Sequence, residues 1–507
     1  MKPIYYLILL SILFACNQEA EEGNTDSSAA VDVGGGERFR PAFHFTPPSA
    51  WMNDPNGMVY YEGEYHLFYQ HYPDDNVWGP MHWGHAVSVD LVNWEHLPIA
   101  LYPDSLGYVF SGSAVIDWDN TSGFGKDGIP PMVAIFTHHD PEMETAGFDL
   151  FQYQSVAYSL DKGRNWALYE GNPVLDNPGI RDFRDPKVFW YSQESKWVMT
   201  LAVKDRVHFY TSADLKSWEF LSEFGADDGA DDGADDGAHD GVWECPDLFM
   251  LPDEEGDEKW VLLVSVNPGG PQGGSATQYF IGQFDGSEFI KEDDYTRWLD
   301  VGADNYAGVT WSDIPAEDGR RLFIGWMSNW QYARDVPTYN WRSAMTIPQE
   351  LQITYVKGSP EVRSVPVNEL DTLFVPKNGS KLASSGSKLS IEGINGSFIT
   401  VKFSNGGGEE VTLMVSETHI SLDRSKSGIV NFHPDFKKIH RFKHYMEVVK
   451  TLDVYIDRSS LEIFANGGEL LMTELVFPSE PYSDYTVSTG DFKITLSHYT
   501  GPDLAEL

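Results

Sequence analysis

Three carboxylates stand out, because each sits in a proline-punctuated segment that a helix could not carry. Asp54 lies in Trp51-Met52-Asn53-Asp54-Pro55-Asn56-Gly57, Asp185 in Phe183-Arg184-Asp185-Pro186, and Glu244 in Trp243-Glu244-Cys245-Pro246-Asp247. The residue before a proline is driven toward extended backbone, so Asp54 and Asp185 are aimed by loops or strand ends. Two carboxyl groups that meet in one pocket can split a glycosidic bond: one protonates the leaving oxygen, and the other stabilises or traps the positive sugar centre. Asp247 competes with Glu244 as the acid, but strand alternation turns it to the opposite face, and Asp247-Leu248-Phe249 reads as structure. Cys245 has no His and Asn placed with it as a triad and reads as a small buried side chain.

The elements that must position these acids are strands. From Phe39 to about Leu351 short alternating or aromatic-rich runs are separated by Gly, Asp, Asn and Pro, which predicts an all-β domain. One pattern returns: Ser88-Val89-Asp90-Leu91-Val92-Asn93-Trp94, Ser159-Leu160-Asp161 through Asn165-Trp166, Ser212-Ala213-Asp214-Leu215-Lys216-Ser217-Trp218, and more faintly Phe284-Asp285-Gly286-Ser287-Glu288-Phe289. Each copy reads as a strand, an Asp-led turn and an aromatic opening the next strand, the texture of propeller blades. Four copies, with the runs from Asn53 to Gln70 and from Trp341 to Leu351, suggest about five blades, although the repeats alone also allow four or six. Beyond Leu351, runs such as Phe398 to Phe403, Val411 to Val415 and Leu452 to Asp457 alternate with polar turns and predict a β-sandwich.

The three acidic motifs match, in order and type, those of glycoside hydrolase family 32, and the resemblance runs from about Phe39 to the end of the chain. That family comprises the fructan-cleaving invertases, levanases and inulinases. It implies a five-bladed β-propeller over 38–351 followed by a β-sandwich over 352–507. Asp54 would be the nucleophile, Glu244 the general acid and then base, and Asp185 a ligand to two fructose hydroxyls. The resemblance also places Trp51, Asn53, Gln70, Trp78, Phe110, Ser111, Arg184, Asp304, Tyr306 and Trp326 against the sugar. Val309 stands where many members carry a polar residue. No metal and no cofactor are implied. The chemistry adds its own demands: donors to hold Asp54 ionised, apolar neighbours (Trp243, Cys245, Pro246) to keep Glu244 protonated, and Arg184 to pair with Asp185 or to grip a sugar hydroxyl. The segments Gly325 to Tyr332 and Trp341 to Pro348 resemble the exo-acting levanases and inulinases, which points to terminal fructose release from β-fructans such as levan or inulin, and from sucrose. The rivals are an inverting arabinan or xylan hydrolase of related fold, a fructosyltransferase, and a surface fructan-binding lipoprotein without turnover.

Composition fits an uncharged ligand. Against 35 Lys and Arg stand 77 Asp and Glu, a net charge of -42, which argues against nucleic acid or anionic lipid as a partner. Met1 to Cys16 holds an apolar run too short to span a bilayer permanently, and Leu13-Phe14-Ala15-Cys16 resembles a bacterial lipoprotein signal, with Cys16 as the lipidated residue. Acidic residues follow it at Glu19, Glu21 and Glu22, which resembles routing to the outer membrane surface. Residues 17–37 read as a flexible tether. The Asp-Asp-Gly-Ala repeat between Gly225 and Gly241 resembles an expanded family loop, and its spacing does not match a calcium loop.

Overall fold

A computed structural model describes residues 37–225, 241–396, 398–490 and 492–501. The expected signal segment, Cys16 and the tether up to residue 36 lie outside these, as do residues 226–240 of the Asp-rich repeat. From Ala50 to Pro366 the described chain forms five sheets, each opening on a strand nearest a common axis: Ala50–Tyr61, Tyr108–Ile116, Phe183–Tyr191, Val242–Pro252 and Tyr306–Thr310. Consecutive inner strands pack side by side, and the fifth returns to the first. Ser312 closes the ring by donating to Met58 O at 3.0 Å and accepting from Tyr60 N at 2.9 Å. Trp341–Arg342 then runs parallel to Ala50–Trp51, so the end of the propeller latches onto its beginning.

The recurring Ser-x-Asp pattern is the third strand and outer turn of a sheet. Asp90 accepts from the backbone N–H groups of Val92 and Asn93 at 3.1 and 2.8 Å, and Asp214 from those of Lys216 and Ser217 at 2.9 Å each. A short acidic side chain thus replaces the hydrogen bonds the ladder cannot supply at a tight turn. The run from Asn53 to Gln70 is not a blade of its own, because it forms the two inner strands of the sheet whose outer half is the first repeat. Five sheets arise from the four repeats plus a last sheet with no copy of the pattern. That last sheet reaches past Leu351, since Gln349–Val356 pairs with Ser359–Pro366 along its whole length.

The remaining chain folds as a six-stranded and a five-stranded sheet face to face. Burial alternates along Ile399–Ser404 and Glu410–Val415, with Ile399, Val401, Phe403, Val411, Leu413 and Val415 inside. Two buried polar clusters join the sandwich to the propeller. His44 lies between Asp457 Oδ2 at 2.7 Å and Glu462 Oε2 at 2.6 Å, and Glu462 also accepts from Ile347 N at 3.2 Å. Arg424 reaches Asp304 Oδ2 at 2.6 Å and Glu474 Oε2 at 3.0 Å, all three side chains being fully buried.

Candidate active site

All five inner strands break register at one level, each with two residues facing one on the next strand. The pairs are Asn53-Asp54 opposite Gln70, Phe110-Ser111 opposite Thr137, Asp185-Pro186 opposite Leu201, Cys245-Pro246 opposite Val264, and Ala307-Gly308 opposite Gly325. A proline has no N–H for the ladder, so the X-Pro pairs seed the bulges, and a bulge re-aims the side chain beside it. Asp185, Cys245 and Ala307 adopt left-handed backbone with φ of 63°, 45° and 53°. Each such residue costs on the order of 1–3 kcal/mol, which the surrounding ring must offset.

The bulges bring Asp54, Asp185 and Glu244 together on the wall of one cavity of about 310 Å³ at the mouth of the axis. Asn53, Gln70, Trp78, Phe110, Ser111 and Arg184 line it as well. Asp54 accepts from Asn53 Nδ2 at 2.9 Å on one oxygen and from Ser111 Oγ at 2.8 Å on the other. Glu244 takes two hydrogen bonds from Arg184, at 3.1 and 2.9 Å, on Oε1, and one from the Tyr306 hydroxyl on Oε2. Asp185 accepts from Cys245 N at 3.1 Å. Gln70 Nε2 is buried beside this cavity with no protein acceptor, a donor available to a bound hydroxyl.

Four of the residues placed against the sugar by resemblance lie behind the wall. Trp51 is fully buried, donates from Nε1 to Asn53 Oδ1 at 2.7 Å and stacks on Trp330 at 5.9 Å. It orients Asn53 instead of meeting a ligand. Trp326 is fully buried between Trp51 and Trp330, and only Trp330 of that stack lines the cavity. Tyr306 is 1% exposed and acts through Glu244. Asp304 belongs to the domain interface, where Arg424 and the Tyr332 hydroxyl consume its carboxylate. Lining residues that sequence reasoning passed over include Asp182, His139, Glu144, Phe151 and Arg334. Trp330 lies inside the Gly325 to Tyr332 segment, whereas His139 ends a strand, Glu144 sits on the short helix Pro141–Thr145 that follows, and Phe151 precedes the next strand, none of them in a motif.

Residues 44–362 match the description "Glycosyl hydrolases family 32 N-terminal domain" and residues 378–500 match "Glycosyl hydrolases family 32 C terminal". The chain belongs to glycosyl hydrolases family 32. It is 49% identical over 469 residues to the levanase of Bacillus subtilis, covering 87% of this chain and 67% of that one. It is 38% identical over 505 residues to the extracellular exo-inulinase of Aspergillus niger, covering 89% and 92%. The crystal structure of exo-inulinase from Aspergillus awamori superposes with a TM-score of 0.82 at 34% identity, covering 92% of this chain and 98% of that one.

In this family 32 chain the electrostatics of the acids differ from the simple demands read off the sequence. Arg184 serves Glu244 and Asp182, with Asp182 Oδ1 at 2.7 Å, and stays 3.9 Å from Asp185. Burial pushes the Asp185 carboxyl up to about 7, against the pull of Arg184 and with Glu244 and Asp54 adding to the rise. Trp243 does not flank Glu244, because strand alternation sends it to the opposite face, stacked on Phe280 at 6.0 Å, and the hydrogen-bond partners of Glu244 are Arg184 and Tyr306. Burial also raises the Asp54 carboxyl, the facing Glu244 adds to this, and the Asn53 and Ser111 donors oppose it. The Cys245 thiol lies 3.8 Å from Asp54 Oδ2 and 3.7 Å from Asp185 Oδ2. Burial first and then these carboxylates hold it protonated, which removes its nucleophilic form.

Proposed function

We propose that this chain is a retaining β-fructosidase that releases terminal fructose from β-fructans and also cleaves sucrose. The observation that carries the reading is the convergence of Asp54, Asp185 and Glu244 on one cavity whose floor is closed by the bulged inner strands. A dead-end cavity of about 310 Å³ accepts the end of a chain more readily than its middle. The names of the levanase and exo-inulinase relatives support fructans as the substrate class.

In this reading the fructose ring lies against Trp78 and Phe110, which meet edge to face at 5.9 Å, with Gln70 and Asp185 on its hydroxyls. Asp54 attacks the anomeric carbon while Glu244 gives its proton to the leaving oxygen. The C–O bond to the aglycone breaks, and a covalent fructosyl ester on Asp54 remains. Glu244, now a carboxylate steadied by Arg184 and Tyr306, takes a proton from water as the water displaces the ester. Fructose leaves and both acids return to their starting state. Incubation with levan, inulin and sucrose and sizing of the products tests this: free fructose as the sole early product from fructans is expected, while oligomer ladders would overturn terminal release.

The same reading includes export and a lipid anchor at Cys16, supported by the Leu13-Phe14-Ala15-Cys16 sequence and by a relative named as extracellular. Cys16→Ser is expected to move the protein from the membrane fraction to the soluble fraction. A wild-type chain already found in the soluble fraction would refute the anchor.

A further inference from the structure

The inner strands all run the same way along the axis, so their second halves gather at the end away from the acids. There Ile116 to Trp118, Lys187 to Trp190, Asp247 with Leu248, and Thr310 with Ser312 and Asp313 line a second cavity of about 290 Å³. It is not an extension of the first. Between the two, Asn56, Lys187, Cys245 and Val309 leave a void of only about 10 Å³, room for a water at most.

The lining combines flat apolar faces with unspent hydrogen-bonding groups. Trp118 is 61% exposed, and its ring is fixed by Nε1 donating to Asp313 Oδ1 at 2.8 Å. Trp190 meets Trp197 edge to face at 5.0 Å, and Trp197 Nε1 is held by Thr121 Oγ1 at 2.9 Å. Trp118 and Trp190 are thereby pre-set, the second by the buried Trp197, so a ligand that stacks on them loses little freedom of theirs. Arg321 lies over the Phe249 ring at 5.2 Å and is attracted by Asp247, with no carboxylate oxygen within 4 Å among the described residues. Asp117 and Asp247, in contrast, are spent on Thr121 with Ser122 and on Thr310 with Lys187.

Charge narrows the ligand. Four carboxylates (Asp117, Asp119, Asp247, Asp313) face two cations (Lys187, Arg321), inside a chain of net charge -42, which disfavours an anion. Exposed indole together with a guanidinium that gives no N–H to a protein acceptor among the described residues suits the apolar face and the hydroxyl edge of a neutral sugar. We infer that the far end of the propeller is a second, non-hydrolysing binding site for a neutral saccharide unit, through which the enzyme holds polymeric substrate while the first cavity works on a free end. The choice of fructan as that polymer rests on the function proposed above.

The test uses the full chain and soluble levan as the probe. In Glu244→Gln protein, which does not turn over, migration in a native gel containing levan reads binding alone. Adding Trp118→Ala or, separately, Arg321→Gln is expected to reduce the retardation. In the otherwise wild-type chain, the same substitutions are expected to raise KM for levan roughly fivefold or more while leaving kcat/KM for sucrose within about twofold. Retardation and levan KM both unchanged in Trp118→Ala and in Arg321→Gln would overturn the site. Equal losses on levan and sucrose would overturn it too, by marking a general structural effect. If the wild type cleaves neither sugar, the reading of the first cavity fails, and the gel, which needs no turnover, still decides the second.

Discussion

Asp54 is held by two donors, Asn53 and Ser111, yet it is buried and faces another acid, and these surroundings pull in opposite directions. Because burial and Glu244 prevail, the ionised form that must attack is lost at a higher pH than for an exposed aspartate. The acid limb of kcat/KM on sucrose is therefore expected above the ordinary carboxylate value of about 4, and a limb at or below it would contradict this. Removing the charge should abolish chemistry and relieve the fold. Asp54→Asn and Glu244→Gln are each expected to lower kcat by on the order of 10⁴, read as fructose release. Asp54→Asn should also melt higher than wild type at neutral pH, by a difference of about 1 kcal/mol in stability. A carboxyl whose folded pKa is raised penalises the native state above that pKa, so the gain should shrink as pH falls toward 4.

At the scale of elements, the five bulges at one level are what turn a propeller into a site. Prolines mark three of them in the sequence, at Pro55, Pro186 and Pro246, which is why those acids were visible as a set. The bulges at Phe110-Ser111 and Ala307-Gly308 carry no such mark. Just beyond the first bulge, Gly57 adopts φ of +58°, and a Cβ there would lie 2.5 Å from Trp83 Cζ3 and 2.9 Å from Phe68 Cδ2. Both rings are fully buried, so neither can give way. Gly57→Ala is expected to cost about 2–3 kcal/mol, measured by denaturant unfolding, and to weaken activity through displacement of Asp54. An unchanged midpoint would show that the strand tolerates the clash.

For the whole molecule, the junction between the two bodies is built on buried charge. Burial works against a protonated His44, but hydrogen bonds and attraction from Asp457 and Glu462 outweigh it and raise the imidazole to about 9. Asp457 likewise accepts from Ala42 N at 2.7 Å and Phe43 N at 3.1 Å, so one carboxylate gathers the arm that enters the propeller. The His44 contribution is fully present below its unfolded value near 6.5 and is lost as pH rises through about 9. Compared by melting temperature, His44→Gln should be least stable relative to wild type near pH 6, with the gap closing above pH 9. A gap that stays constant with pH would mean that the imidazole contributes by shape alone.

The chain by itself determined the all-β class, the change of texture into a sandwich, and the three acids with their proline-marked turns, because local patterning and backbone chemistry are written in neighbouring residues. The tally of blades rested on repeats that the last sheet does not carry, so pairing decided it. Only the tertiary structure decided that Trp51 and Trp326 stand behind the wall, that Asp304 answers Arg424 from the other domain, and that Arg184 spends its hydrogen bonds on Glu244 and Asp182 while pairing with Asp185 at 3.9 Å. Which face a strand residue presents changes with every bulge, and a charged side chain chooses its partner by proximity in space, across 120 residues in the case of Asp304 and Arg424.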